Sequence, residues 1–68
     1  MELTVNGRPE RIRDGANLRD VLTSLGHGDG ARGLAVALNG EVVTRSEWSS
    51  TLVAERDRIE VLGAAQGG

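Results

Sequence analysis

The sequence predicts an α+β fold in which a mixed sheet of four to five strands carries one main helix on one face and ends in a flexible C-terminal tail. Strand-like alternation occupies both ends of the chain, one helical repeat of apolar residues lies between them, and two Asn-Gly pairs each join strand-like segments. Two unrelated hairpins would leave the apolar helix face uncovered. We therefore expect one domain over residues 1–63, whose first and last strands can pair in parallel, and a tail over residues 64–68.

The chain opens with a predicted hairpin. Apolar residues alternate with polar ones at Met1, Leu3 and Val5. Asn6-Gly7 then supplies the positive φ angles of a type I′ turn. Residues 8–13 return as a strand with Ile12 facing inward. Because proline cannot donate to a ladder, this strand is expected to lie at an edge of the sheet or to pair only beyond Pro9.

A turn at Asp14-Gly15 leads into the predicted helix. Its apolar residues recur at i, i+3, i+4 and i+7 and therefore share one face: Leu18, Val21, Leu22 and Leu25. Asn17 is the expected N-cap, Asp20 is its capping-box partner, and Gly26 suits the left-handed position that ends the helix. A helix of about two turns is unstable alone, so it needs the sheet to pack against.

A central strand is predicted over residues 34–38, where large and small residues alternate. The large ones share one face: Leu34, Val36 and Leu38. Ala35 and Ala37 share the other face, which their small side chains leave open for a partner. Asn39-Gly40 is a second hairpin turn, and residues 41–45 form the strand that follows it.

The rest of the domain is predicted to close the sheet. A turn or helical turn at residues 46–48 carries Trp48, the one aromatic residue. Trp48 could anchor an interface, but we expect it in the core, because a small core needs its large side chains. Residues 51–53 are short and extended, and residues 55–57 form a polar turn. The final strand spans residues 58–62. Its inward-facing residues are Ile59 and Val61.

The composition excludes several classes of function. Without cysteine, the chain has no disulfide, thiolate metal site or cysteine nucleophile. A net charge of −2 gives no electrostatic reason to expect nucleic acid or membrane binding. No apolar run approaches the ~20 residues that span a bilayer, and the first residues lack the pattern of a signal peptide. We therefore expect a cytoplasmic protein.

No catalytic, metal or cofactor site is predicted in the folded domain. His27 is the one histidine, and it lies in the glycine-rich segment 26–33, which we expect to be a solvated loop rather than a rigid site. The glycines follow a helix and precede a strand, which is the reverse of a phosphate-binding loop. One histidine without cysteine also argues against zinc. We expect a protein that is not itself an enzyme.

The C-terminal tail is the remaining candidate for chemistry. Its five residues reach about 17 Å when extended and include Ala65, Gln66, Gly67 and Gly68. Two terminal glycines can enter a channel too tight for side chains. The α-carboxylate of Gly68 is ionised at neutral pH and can attack the α-phosphorus of ATP if a partner enzyme supplies cations and alignment. The acyl carbon can then accept sulfur and become a thiocarboxylate.

A set of residues, mostly in the second half of the chain, matches a known family. They are Leu34-Ala35-Val36-Ala37-Leu38-Asn39-Gly40-Glu41-Val42-Val43, Arg45, Glu47, Trp48, Asp57-Arg58-Ile59-Glu60-Val61 and Gln66-Gly67-Gly68. With them, nearly the whole chain resembles the sulfur carrier family ThiS. Two departures stand out: Thr44 occupies a place where the family often has proline, and Glu55-Arg56-Asp57 replaces a common Asp-Gly-Asp turn.

The resemblance implies a ubiquitin-like β-grasp fold and a role in thiamine biosynthesis. It implies that a ThiF-type adenylyltransferase adenylates Gly68 with ATP, that a sulfur-donating enzyme converts it to the thiocarboxylate, and that the thiazole synthase ThiG receives the sulfur. The chain would then be a protein co-substrate that binds no cofactor itself.

Partners are expected on the sheet face away from the helix, together with the tail. The candidate contact residues are Ala35, Ala37, Val42 and Leu62. One bulge would reverse the orientation of Val42 or Leu62.

Two alternatives share these observations. The small subunit of molybdopterin synthase has the same fold, Gly-Gly end and thiocarboxylate chemistry. A non-catalytic ubiquitin-like binding module would carry the tail as an inert end, since chain termini are commonly disordered. The sequence leaves open the sulfur donor, the order of partner binding, the oligomeric state and any second pathway.

Overall fold

The computed structural model of the chain describes residues 1–27 and 33–63, which form one five-stranded sheet with one α-helix. Its elements are β1 (Glu2–Val5), β2 (Arg8–Arg11), α1 (Leu18–Ser24), β3 (Leu34–Leu38), β4 (Glu41–Val43), a 3₁₀ helix (Arg45–Ser50) and β5 (Arg58–Gly63). The strands lie in the order β2-β1-β5-β3-β4. β1 runs parallel to β5, and the other pairs are antiparallel. The predicted mixed sheet, with its parallel pairing of first and last strands, is confirmed.

Both Asn-Gly pairs form the predicted turns. Asn6 and Gly7 have φ angles of 53° and 82°, and Asn39 and Gly40 have 52° and 87°, as a type I′ turn requires. Pro9 lies in the edge strand β2, also as predicted.

β2 is shorter than the predicted strand over residues 8–13 and ends at Arg11. β2 ends there because its partner strand β1 begins at Glu2, which pairs with Arg11. Beyond that pair the Ile12 N–H donates to the Met1 carbonyl oxygen at 2.9 Å. Ile12 is nevertheless buried, so its predicted inward orientation is confirmed.

The helix α1 begins and ends at the predicted residues. The Asp20 N–H donates to Asn17 Oδ1 at 2.7 Å, and the Asn17 N–H donates to Asp20 Oδ2 at 3.0 Å, which is a complete capping box. At the other end, Gly26 has a φ of 93°. The N–H groups of Gly26 and His27 donate to the carbonyl oxygens of Thr23 and Leu22, and these two bonds make a Schellman motif.

β4 ends at Val43, two residues before the end predicted from the sequence. The chain turns there into the 3₁₀ helix, which buries Trp48 to 3% exposure. Trp48 Nε1–H donates to the Val43 carbonyl oxygen at 3.0 Å. The predicted core position of Trp48 is confirmed. Of the extended residues 51–53, only Leu52 pairs, in an isolated bridge to Asn17.

The core lies between α1 and one face of the sheet. Its fully buried side chains come from β1, α1, β3 and β5: Leu3, Leu18, Val21, Leu22, Val36 and Ile59. The sheet face that carries this core is called the inner face below, and the opposite one is the outer face.

Residues 28–32 and 64–68 lie outside the part of the chain that the structure describes. The predicted boundary between a domain over residues 1–63 and a tail over residues 64–68 therefore stays a prediction. None of the helices among the described residues is long and apolar enough to cross a membrane.

Candidate functional site

The outer face of β3, β4 and β5 carries the four predicted partner-contact residues. Ala35 pairs with Leu62, and Ala37 pairs with Val42. Directly paired residues project to the same side of a sheet, while their neighbour Val36 is buried on the inner face. The register runs without interruption from Leu34–Gly63 to Leu38–Ile59. The bulge that would have reversed Val42 or Leu62 is therefore absent from these pairings.

These four residues form an exposed apolar patch, a name used below for Ala35, Ala37, Val42 and Leu62. Val42 is 75% exposed and Leu62 is 71% exposed. Ala35 is exposed and Ala37 is half-buried. These two large aliphatic side chains are exposed on adjacent parts of one face. They are a candidate contact surface for another protein. Their part in partner binding stays a prediction.

The rest of the outer face is polar and electrically balanced, and its Glu60 borders the apolar patch because it pairs with Ala37. Its exposed charged residues, placed there by their strand pairings, are Glu2, Arg11, Arg58 and Glu60. A shallow hollow of about 310 Å³ lies beside Glu2, Thr4, Pro9 and Glu55. Group transfer needs a nucleophile hydrogen-bonded to a base, and no such pair lines the hollow among the described residues. We assign it no catalytic role.

The end of β5 connects the apolar patch to the predicted reactive tail. Gly63 is the last residue of β5 and pairs with Leu34, next to the Ala35–Leu62 pair. Ala65, Gln66, Gly67 and Gly68 lie outside the described residues. Since five residues extend to about 17 Å at most, a protein that reacts with Gly68 must also approach the surface around Gly63.

The described residues contain no cluster of side chains suited to a metal ion. Within residues 1–27 and 33–63, no group of three or more His, Asp or Glu side chains is placed to hold a metal ion. His27 is half-buried rather than fully solvated, and its backbone N–H closes the end of α1. The remaining glycine-rich segment, residues 28–32, lies outside the described part of the chain.

Comparison with known proteins decides the family. The sequence model of the ThiS family matches residues 2–68. The chain belongs to the ThiS family. The match extends through the Gly67-Gly68 end, and it confirms the resemblance predicted from the sequence.

Solved structures of ThiS proteins share the fold. A crystal structure of the thiamine biosynthesis protein ThiS from Geobacter metallireducens is 38% identical over 91% of each chain, with a TM-score of 0.77. An NMR structure of a thiamine biosynthesis protein from the same organism is 34% identical over 91% of this chain and 81% of that one, with a TM-score of 0.72. No curated protein matches the chain. The β-grasp fold predicted from the ThiS resemblance is confirmed.

Two residues that hold β5 in place were interpreted from the sequence only as turn residues. The side chains of Asn6 and Asn39 both bond to the backbone of β5, from its two sides. The available signal was the choice of Asn at the first position of both turns, where Asp or Gly would also permit a positive φ. Their targets, Val61 and Arg58, are too distant in sequence to be predicted.

Proposed function

We propose that this ThiS-family chain is a sulfur carrier in thiamine biosynthesis and that it works through the C-terminal carboxylate of Gly68. The observation that supports this most is the family match, which includes the Gly67-Gly68 end. The position of Gly63 supports it further, since β5 ends beside an exposed apolar patch where an enzyme can hold the domain while it acts on the tail.

Activation of Gly68 requires a partner. A carboxylate is a weak nucleophile, and the phosphates of ATP repel it, so cations and alignment must come from a ThiF-type adenylyltransferase. One carboxylate oxygen attacks the α-phosphorus of ATP, pyrophosphate leaves, and an acyl-adenylate forms. ATP is bound by the partner. Gly67, Gln66 and Ala65 enter its active-site channel, where glycine adopts the backbone angles that the channel requires.

Sulfur transfer follows in two steps. A sulfide equivalent from a sulfur-donating enzyme attacks the acyl carbon, AMP leaves, and the thiocarboxylate of Gly68 forms with release of a proton. The thiocarboxylate sulfur is a soft nucleophile, and the thiazole synthase ThiG takes it for the thiazole ring. The carrier is thus a protein co-substrate of cytoplasmic enzymes and performs no catalysis itself.

The apolar patch is the proposed docking surface for these partners. Ala35 and Ala37 let a partner approach the sheet closely, while Val42 and Leu62 supply the apolar area that is buried on binding. Because the tail starts one residue after Gly63, docking at Leu62 brings Gly68 within reach of the partner's active site.

The direct test is the intact mass of the chain after incubation with ATP, a sulfide source and the adenylyltransferase of the same organism. Conversion of the carboxylate to a thiocarboxylate adds about 16 Da, located by fragmentation at the last residue. A chain without Gly67 and Gly68 is the control and should gain no mass while keeping its folded circular dichroism spectrum. An unmodified full-length chain in the presence of active enzyme would refute the proposal.

The two alternatives differ from it in measurable ways. A molybdopterin synthase subunit would complement a molybdenum-cofactor-deficient strain and not a thiazole-requiring one. A binding module with an inert tail would keep its activity after removal of Gly67 and Gly68. The ThiS family match favours the thiamine pathway over the first of these.

A further inference from the structure

The end of β5 is held on one side by a side chain instead of a strand. Along β1, the Thr4 N–H donates to the Asp57 carbonyl oxygen at 3.0 Å, and the Asn6 N–H donates to the Ile59 carbonyl oxygen at 2.8 Å. At Asn6 the chain turns away into the hairpin, with a φ of 53°. The next groups on this side of β5, the N–H and carbonyl of Val61, therefore meet no strand in the part of the chain that the structure describes.

The carboxamide of Asn6 takes the place of the missing strand residue. The Val61 N–H donates to Asn6 Oδ1 at 2.9 Å, and Asn6 Nδ2 donates to the Val61 carbonyl oxygen at 3.2 Å. One side chain thus reproduces the donor and acceptor of a peptide group. An amide supplies the donor and the acceptor from two neighbouring atoms, as a peptide group does, whereas a carboxylate at position 6 could accept from the N–H but would face the carbonyl with a second acceptor.

Within the described residues, hydrogen bonds to this side of β5 end at Val61. Leu62 and Gly63 continue the strand, and among residues 1–27 and 33–63 their only strand neighbour is β3. With the Asn6 bonds, β5 is hydrogen-bonded on both sides up to two residues before its end and has little freedom to bend. A strand end that is bonded on one side only frays more easily. Asn6 therefore determines how firmly the starting point of the tail is fixed.

We propose that Asn6 is a positioning residue for the adenylation of Gly68: it fixes the end of β5, so that the tail starts from a fixed point when a partner is docked. This rests on the proposed function. A fixed starting point keeps the tip of a short tail concentrated near the partner's reactive atoms, and orientation of this kind strongly affects rate. Since Asn6 lies outside the apolar patch, its loss should lower kcat and leave KM for the carrier nearly unchanged.

The chain offers a matched control. Asn39 has the same place in the other Asn-Gly turn, with a φ of 52°. Its carboxamide also makes two bonds, accepting from the Arg58 N–H at 2.8 Å and donating to Asp57 Oδ1 at 3.0 Å. These bonds hold the start of β5 rather than its end. Glycine tolerates the positive φ at both sites, so Asn6→Gly and Asn39→Gly each keep the turn and remove only the carboxamide.

The experiment measures adenylation kinetics and amide exchange for both variants, at a temperature where all proteins are folded. We expect Asn6→Gly to lower kcat about tenfold with KM for the carrier within about twofold, and Asn39→Gly to leave both near wild type. In the isolated chains, exchange at the Val61 amide should accelerate by about tenfold or more in Asn6→Gly only, and exchange at the Arg58 amide in Asn39→Gly only.

Two results overturn the inference. One is an unchanged kcat for Asn6→Gly, or an equal loss in both variants, while the wild-type chain is adenylated normally. The other is an unaltered Val61 exchange rate in Asn6→Gly, which is measured without any enzyme. A wild-type chain that is never adenylated instead refutes the proposed function, so the two failures are distinguishable.

Discussion

Truncation of Leu62 tests whether the apolar patch binds the partner enzymes. Leu62 is 71% exposed in the free chain. Leu→Ala removes about three carbon groups, worth about 0.8 kcal/mol each when fully buried. If a partner buries the exposed part, the variant should lose about 1–2 kcal/mol of binding free energy, which raises Kd roughly 5- to 30-fold. The free energy of unfolding should fall by less than about 1 kcal/mol, because little of the side chain is buried in the domain.

Leu52→Ala is the matched control for this experiment. Leu52 has the same side chain and an exposure of 70%. It lies on the helix side of the molecule, where it bridges to the N-cap residue Asn17. Isothermal titration of the adenylyltransferase with wild type and both variants should show weaker binding for Leu62→Ala alone. Equal Kd values for wild type and Leu62→Ala, or equal weakening by both substitutions, would refute docking through the patch.

Three further predictions concern stability and are measured by urea unfolding followed by circular dichroism. Trp48→Phe removes the bond from Nε1 to the Val43 carbonyl oxygen and should cost about 1–2 kcal/mol; a loss below about 0.5 kcal/mol would mean that this bond is dispensable. Arg56→Gly should gain about 0.5–1 kcal/mol, because Arg56 has a φ of 70°, which glycine adopts without a Cβ clash; a loss would contradict this. Asn17→Ala breaks the capping box with Asp20 and should cost about 1 kcal/mol, whereas an unchanged midpoint would show that the cap is redundant.

The features predicted correctly are those with a local cause. Each Asn-Gly turn needs two positive φ angles, and few other residue pairs allow them. The helix start at Asn17 follows from a capping box contained within four residues. The interior position of Trp48 follows from its size, since no other aromatic residue is available to fill the core.

The features that were missed depend on residues far away in the sequence. The end of β2 is set by where β1 begins, and the end of β4 is set by the entry to the helix that buries Trp48. The bonds from Asn6 to Val61 span 55 positions, so no local pattern indicates them. The positive φ of Arg56 is likewise imposed by its surroundings, where its N–H donates to the Glu2 carbonyl oxygen at 2.7 Å.

The candidate site was predicted in part. The alternation in residues 34–38 correctly placed Ala35 and Ala37 on an open face, because a strand separates its two faces strictly. The orientation of Val42 and Leu62 required the actual register. The chemistry assigned to Gly68 came from the terminal glycines and the ThiS resemblance, and it stays a proposal.

The edge position of Pro9 affects how readily copies of this protein can pair through the edges of their sheets. Val5 and Arg8 flank a two-residue turn and form a bonded pair, so Thr4 and Pro9 form a non-bonded one. The ring nitrogen of Pro9 therefore points to the rim of the sheet, where it offers no hydrogen to an incoming strand. The opposite rim, β4, is three residues long. The β2 rim thus lacks one donor and the β4 rim is short, so both edges of the sheet are poor templates for edge-to-edge pairing between copies of the chain.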